Sequence, residues 1–136
     1  MKVDIVTPVG VKFSGEAASV TAPGVMGDVG ILPGHQPMLA ALRTGVCTLS
    51  VPGQEPTHLV IDGGYLHVVG GEAVSITTEL CETWQEVDVT AARTALEAAT
   101  ATLAATKDDI STRSWRSKKH DVDLADTRLR VAATKP

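Results

Sequence analysis

Gly27-Asp28-Val29-Gly30-Ile31-Leu32-Pro33-Gly34-His35 packs three glycines, a proline, a carboxylate and an imidazole into nine residues. No regular helix or central strand accommodates Gly and Pro at that spacing, because glycine frees the backbone and proline removes a donor. The stretch reads as a defined, folded-back path between strands, with Asp28 and His35 as its polar side chains. Ordinary turn chemistry accounts for such a path on these residues alone.

On both sides of it lie short strand patterns. Val3 and Ile5 alternate with Lys2 and Asp4, and Pro8 and Gly10 end that run. Val20 to Ala22 is closed by Pro23-Gly24. Met38 to Leu42 and Val46 to Val51 follow, divided near Thr44-Gly45, and Pro52-Gly53 marks a turn. Thr57 to Asp62 and Tyr65 to Val69 flank Gly63-Gly64, which predicts a hairpin. Gly70-Gly71 leads into Ala73 to Thr78. Turn signals recurring at this interval predict an all-β sandwich or barrel.

From Thr90 the period changes. Ala92, Leu96, Ala99, Leu103 and Ile110 recur at helical spacing, with Thr90 as N-cap and Lys107-Asp108-Asp109 as the end. Val122, Ala125, Leu129 and Ala132 predict a second helix, starting at Asp121 or Asp123 and rich in base near its end. Two helices with a short connection pair antiparallel. Their apolar stripes are thin, so this hairpin is expected to be the less stable part. Between them Arg113-Ser114-Trp115-Arg116-Ser117-Lys118-Lys119-His120 reads as a basic loop, either solvated or facing an acidic surface. The fold class is therefore α+β. A β-sandwich spans 1–82, a linker 83–89 and an antiparallel two-helix hairpin 90–136.

Charge follows the same division. Residues 1–80 carry three basic and seven acidic side chains, and 81–136 carry nine of each. The net charge of −4 argues against binding nucleic acid through phosphates. Aromatics are 3% of the chain, so the core must be built from aliphatic residues. Cys47 and Cys81 have no metal spacing and fit free thiols in a reducing compartment. No apolar run approaches a membrane span, and the N-terminus has no signal or transit character, so direct membrane insertion is not expected. His35, His58, His67 and His120 form no ligand motif. A metal held by His58 and His67 on one face of the predicted hairpin is the weak exception. There is no Walker A sequence, no GxSxG and no paired carboxylates, and nothing supports an enzyme.

The order of these signals resembles the epsilon subunit of rotary F-type ATP synthases, called delta in mitochondria. The run Gly27-Asp28-Val29-Gly30-Ile31-Leu32-Pro33-Gly34-His35-Gln36-Pro37 is close to the family's Gly-(Glu/Asp)-x-Gly-Ile-x-Pro-Gly-His-x-Pro. Val3-Asp4-Ile5-Val6-Thr7-Pro8, Phe13-Ser14-Gly15, Arg43-Thr44-Gly45, Gly63-Gly64-Tyr65-Leu66-His67-Val68 and Leu129-Arg130-Val131 support it. The resemblance implies a non-catalytic rotor subunit of the central stalk, seated on the gamma subunit and against the c-subunit ring. It implies a peripheral place on the cytoplasmic side of a bacterial inner membrane, or the stromal side of a thylakoid. It implies Asp28, Val29 and Gly30 as the contact with the c ring and His35 as the contact with gamma. A hairpin that restrains ATP hydrolysis would meet the alpha and beta subunits through Arg113, Arg116, Lys118, Lys119, Arg128 and Arg130. Some family members bind ATP on the hairpin through a motif like Ile/Leu-Asp-x-x-Arg-Ala. Here Val89-Thr90-Ala91-Ala92-Arg93-Thr94 keeps only Arg93, so no cofactor and no tight nucleotide site are expected. The alternative is a free-standing β-sandwich that binds a ligand or peptide and carries a helical tail.

Overall fold

In the computed structural model, which describes residues 1–70 and 72–136, alternation near the N-terminus gives β1 (Lys2–Thr7), with Val3, Ile5 and Thr7 turned inward. The Gly70-Gly71 step lies partly outside the described residues, at Gly71. Pro8 and Val9 turn the chain into β2 (Gly10–Glu16), which runs back antiparallel along β1. The strands β3 (Ser19–Ala22), β4 (Val29–Ile31), β5 (Met38–Ser50), β6 (Thr57–Val69), β7 (Ala73–Thr77) and β8 (Cys81–Glu82) complete the β part. They pair in the order β2-β1-β7-β6-β5-β3-β4, and β8 adds to β6. Only β1 and β7 run parallel.

The two 13-residue strands make this continuous sheet into two layers. β7 pairs with the second half of β6, from Tyr65 to Val69, whereas β8 pairs with its first half, at Val60 and Ile61. β3 joins only the last residues of β5. Along β6 the core-facing residues are Leu59 and Ile61, then Leu66 and Val68. On β5 they pass from Leu42 to Cys47 and Leu49. The inward parity thus switches in both strands at the same level, around Arg43–Gly45 and Asp62–Gly64. The register continues through it, with Leu42 opposite Gly64 and Thr44 opposite Asp62. Both halves feed one aliphatic cluster that includes Val3, Ile5, Val20, Ile31, Leu49, Ile61, Leu66 and Ile76. The expected sandwich is present, and its two sheets share these strands.

Gly63-Gly64 is therefore a crease within β6, not the predicted hairpin turn. Gly64 has φ +108°, and a Cβ there would run into the Thr77 carbonyl. Met38–Ser50 is likewise one strand, where the sequence suggested two separated near Thr44-Gly45. A parity switch looks the same in sequence whether the chain turns back or creases. His58 and His67 both lie on β6 with opposite parity, hence on opposite faces. His58 meets Thr48 (Nδ1 to Oγ1, 2.9 Å), and no metal-binding group exists among the described residues.

α1 (Val89–Ala105) is capped by Asp88, whose Oδ1 accepts from the Ala91 N–H at 3.0 Å. Asp88, not Thr90, is the N-cap: a carboxylate in extended backbone satisfies the first-turn donors. Ala92 is buried and Leu96, Ala99 and Leu103 are half-buried, as their spacing predicts. The helix ends before Lys107, so Ile110 falls in the connection and is 70% exposed. α2 (Arg113–Ala132) is longer than its apolar pattern. Thr112 caps it, accepting from the Trp115 N–H at 3.2 Å, and Asp121 and Asp123 are interior. The supposed basic loop Arg113–His120 is thus two turns of helix. Apolar periodicity misses it because those turns carry mostly charged and hydroxyl side chains and bury none of them fully.

α2, not α1, lies on the sheet, against β5 and β6. Ala125, Thr127 and Val131 are buried, and so is Val60, on the opposite face of β6 from Leu59 and Ile61. α1 packs antiparallel on α2: Ala91 and Ala95 border Ala125 and Arg128, while Thr106 receives a hydrogen bond from the Lys118 ammonium. Both cysteines are buried free thiols. Burial pushes Cys47 up to about 12 and Cys81 up to about 11, which leaves little nucleophilic thiolate at neutral pH. None of the described helices is long and apolar enough to cross a membrane.

Candidate functional site

The glycine-rich run forms two tight turns around the edge strand β4. Gly24-Val25-Met26-Gly27 closes with the Gly27 N–H donating to the Gly24 carbonyl at 3.1 Å. A Cβ on Gly24 would strike the Gly27 carbonyl, so the bend admits no side chain there. The turn is sewn to β5: Val25 donates to Ala41 at 2.9 Å, and Arg43 to Pro23 at 2.8 Å. Its apex is apolar and outside, with Val25 58% and Met26 99% exposed. Beyond β4, Leu32-Pro33-Gly34-His35 closes with the His35 N–H donating to the Leu32 carbonyl at 3.1 Å. Pro at the second position and Gly34 at φ +86° are the residues a type II turn requires. Leu32 is also exposed.

Asp28 is exposed, as expected, but it is not a lone carboxylate. It accepts from the Arg43 guanidinium at 2.7 Å, and both side chains remain near half accessible. Val29 and Gly30 pair with Ala22 and Thr21 as part of β4. His35 sits past the second turn, half-buried, with Nδ1 2.7 Å from the Gln36 carbonyl. Asp28 and His35 thus flank β4 at opposite ends and do not form one cluster.

The six basic residues expected to meet alpha and beta divide sharply. Lys118 binds Asp108 at 2.7 Å, Lys119 binds Asp123 at 2.8 Å, Arg128 binds Glu82 at 2.8 Å and Arg130 lies 3.3 Å from Asp126. The Lys118 ammonium, with help from the Ser114 and Thr106 hydroxyls, holds Asp108 down to about 2. Among the described residues, no carboxylate lies within ion-pair distance of Arg113 or Arg116, and both are exposed. Arg93 is exposed on α1 and does not line the groove between the helices, whose charged lining is Lys118, Asp121 and Arg128. The remnant nucleotide motif is therefore not gathered into a site.

Two features escaped sequence reasoning. The linker is fastened: Lys12 of β2 donates to Glu86 at 2.8 Å, and each holds the other in its charged form. Lys135 stands 5.7 Å from the centre of the Trp84 ring. The second feature is the outer face of the layer β2-β1-β7-β6-β5. Pairing aligns Ala41, Tyr65, Thr77, Val6 and Val11 in one row, and Leu39, His67, Ser75, Asp4 and Ser14 in the next. Among the described residues, nothing covers this face. Val11 is 63%, Leu39 68%, Tyr65 59% and Val69 50% exposed. Alternation along each strand is the signal that would have found it, once the strands were placed side by side.

Residues 1–83 match the family model described as ATP synthase, Delta/Epsilon chain, beta-sandwich domain. An ATP synthase epsilon chain of Geobacter metallireducens is 33% identical over 132 residues, covering 97% of this chain and 93% of that one. One from Brevibacillus brevis is 35% identical over 99 residues, 73% of this chain and 74% of that one. Among solved structures, a chain of the Euglena gracilis mitochondrial ATP synthase shares the fold with a TM-score of 0.80 at 23% identity, over 96% of this chain and 79% of that one.

Proposed function

Since the chain belongs to the ATP synthase delta/epsilon family, we propose that it is the epsilon subunit of an F-type ATP synthase, a non-catalytic part of the central stalk. In this role it turns with gamma and the c ring and helps couple ion flow through the ring to ATP synthesis.

The observation that carries the reading is the asymmetry of the sandwich. One outer face is covered by α2, while the other is bare over five strands and carries Val11, Leu39, Tyr65 and Val69 in the open. An exposed apolar patch of this kind in a soluble domain marks a protein contact. Gamma is the partner we assign to it, with His35 near its rim, since the chain enters β5 and Leu39 shortly after that residue. The Val25-Met26 turn is assigned to the c ring. It is rigid and apolar at its tip, and the Asp28–Arg43 pair beside it offers a carboxylate and a guanidinium to polar loops. A peripheral place at the membrane then follows from the ring, on the cytoplasmic side of a bacterial membrane or the stromal side of a thylakoid.

The hairpin is assigned a restraining role in ATP hydrolysis. Arg113 and Arg116 are ready to meet an acidic surface on alpha or beta. Arg128 is held by Glu82 on β8 and is released as α2 leaves the sheet, whereas Lys118, Lys119 and Arg130 are paired with carboxylates of the hairpin itself, the last two within α2. Purification of the complex from host membranes tests the whole reading. The subunit should elute with gamma and the ring, and Asp28→Lys, which sets two cations side by side at the ring contact, should lower retention of the catalytic sector. Elution apart from gamma would return the chain to the class of free-standing binding modules.

A further inference from the structure

Among the described residues, four side-chain contacts tie sandwich, linker and helices together. Three are made by side chains other than histidine: Lys12–Glu86 between β2 and the linker, Arg128–Glu82 between α2 and β8, and Lys135 over Trp84 at the C-terminus. The fourth is His120 in the first half of α2, whose Nε2 lies 2.7 Å from Oδ1 of Asp62. That carboxylate is built into the crease. It accepts from the Thr44 hydroxyl at 2.8 Å, and the Asp62 N–H is held by Thr78 and Leu80. Asp62 is 19% and His120 45% exposed.

We infer that the His120–Asp62 contact is a proton-dependent latch that holds the hairpin on the sandwich more firmly at low pH than at high pH. Imidazole is the one side chain in these four contacts of a type that changes charge between pH 5 and 8. As imidazolium, His120 makes an ion pair with Asp62. As neutral imidazole it keeps only an ordinary hydrogen bond, roughly half as strong. Two charged groups of α2 face His120 along the helix: Asp121, 3.8 Å from Nδ1, and Arg116, one turn earlier and exposed, whose cation opposes that carboxylate. The neighbouring Lys119 is engaged by Asp123, and Arg43 on β5 is engaged by Asp28. Because α2 is the helix laid on the sheet, and α1 packs on α2, loss of this contact loosens both helices together. The latch concerns docking itself and holds whether or not the released hairpin restrains hydrolysis.

Both native thiols are buried, so labels can be placed on Gln54→Cys, in an exposed turn of the sandwich, and Ser117→Cys, on the exposed side of α2. Energy transfer between pH-insensitive dyes in the full chain then reads docking from pH 5.5 to 8. A partly exposed pair predicts that the docked-to-open ratio falls about two- to fivefold over this range. His120→Gln should be more open and flat with pH, while His120→Arg, permanently charged, should stay docked and flat. Circular dichroism confirms that each variant is folded. If His120→Gln keeps the wild-type pH response, or His120→Arg opens with rising pH as the wild type does, the latch is overturned.

Discussion

Gly64→Ala separates the crease from the hairpin turn that Gly63-Gly64 would otherwise suggest. In an open two-residue turn an alanine costs only its positive φ, about 1–2 kcal/mol. Gly53 supplies the internal standard: its φ is +76° and a Cβ there meets nothing within 4 Å. At Gly64 the φ of +108° adds to a collision with the Thr77 carbonyl, and with the Thr78 Cα at 2.9 Å. Those atoms are backbone. Tyr65 pairs with Thr77 in the β6–β7 ladder, so relief requires the two strands to part. Overpacking of this kind costs roughly 1–3 kcal/mol beyond the φ term. The sum is about 2–5 kcal/mol for Gly64→Ala against about 1–2 kcal/mol for Gly53→Ala. For a cooperative unit the size of the sandwich, each kcal/mol lowers Tm by about 4–8 °C. Thermal melts of the full chain followed by circular dichroism should show Gly53→Ala down by about 4–16 °C and Gly64→Ala down further, by about 8 °C or more, or unfolded at room temperature. Equal shifts for the two variants would refute the crease.

Truncation after Asp88 should leave a β domain that melts cooperatively, because the aliphatic cluster contains no residue of either helix; loss of that cooperative melt would show the hairpin to be part of the core. If the restraining role is correct, the reconstituted enzyme should hydrolyse ATP faster with the truncated subunit than with the full chain. Calorimetric titration with Mg-ATP should give no low-micromolar dissociation constant, since Arg93 stands outside the interhelical groove and Arg128 inside it is held by Glu82. Asp108 is held at about 2 by Lys118, below the roughly 3.9 of an unfolded aspartate, so its support of the helical connection is complete above about pH 4. That support is lost as pH falls through about 2, and Asp108→Asn should abolish this part of the acid transition in far-UV circular dichroism.

Much of the architecture was legible because burial writes itself into alternation. Val3 and Ile5, Val20 and Ala22, and Leu66 and Val68 face one core, and their periods announce it. The helices were legible where they touch something, at Ala92, Leu96, Leu103, Ala125 and Leu129. They were illegible where their contacts are polar: the first turns of α2 carry Arg113 and Arg116 in solvent, Lys118 bound to Asp108 and His120 bound to Asp62, and such turns write no apolar period. Caps were misplaced by the same logic. Asp88 precedes Thr90 closely enough for either to fit, and only the hydrogen bond to Ala91 distinguishes them. The loop around Asp28 was recognisable from its glycines and Pro33, but its ion pair joins residues on different elements. Periodicity along one segment cannot place Asp28 beside Arg43, nor His120 beside Asp62. The bare sheet face likewise exists only after register is known.

The claim on which the account rests is that the uncovered sheet face seats the subunit on gamma. Titrating isolated gamma with the full chain, by calorimetry, tests it directly. One-to-one binding is expected, and Tyr65→Glu, in the exposed row between Ala41 and Thr77, should weaken it by at least about tenfold, which is about 1.4 kcal/mol. Met26→Glu, on the turn assigned to the ring, should leave that affinity unchanged. Wild-type binding by the Tyr65→Glu variant, with Met26→Glu as the weakened one, would contradict it.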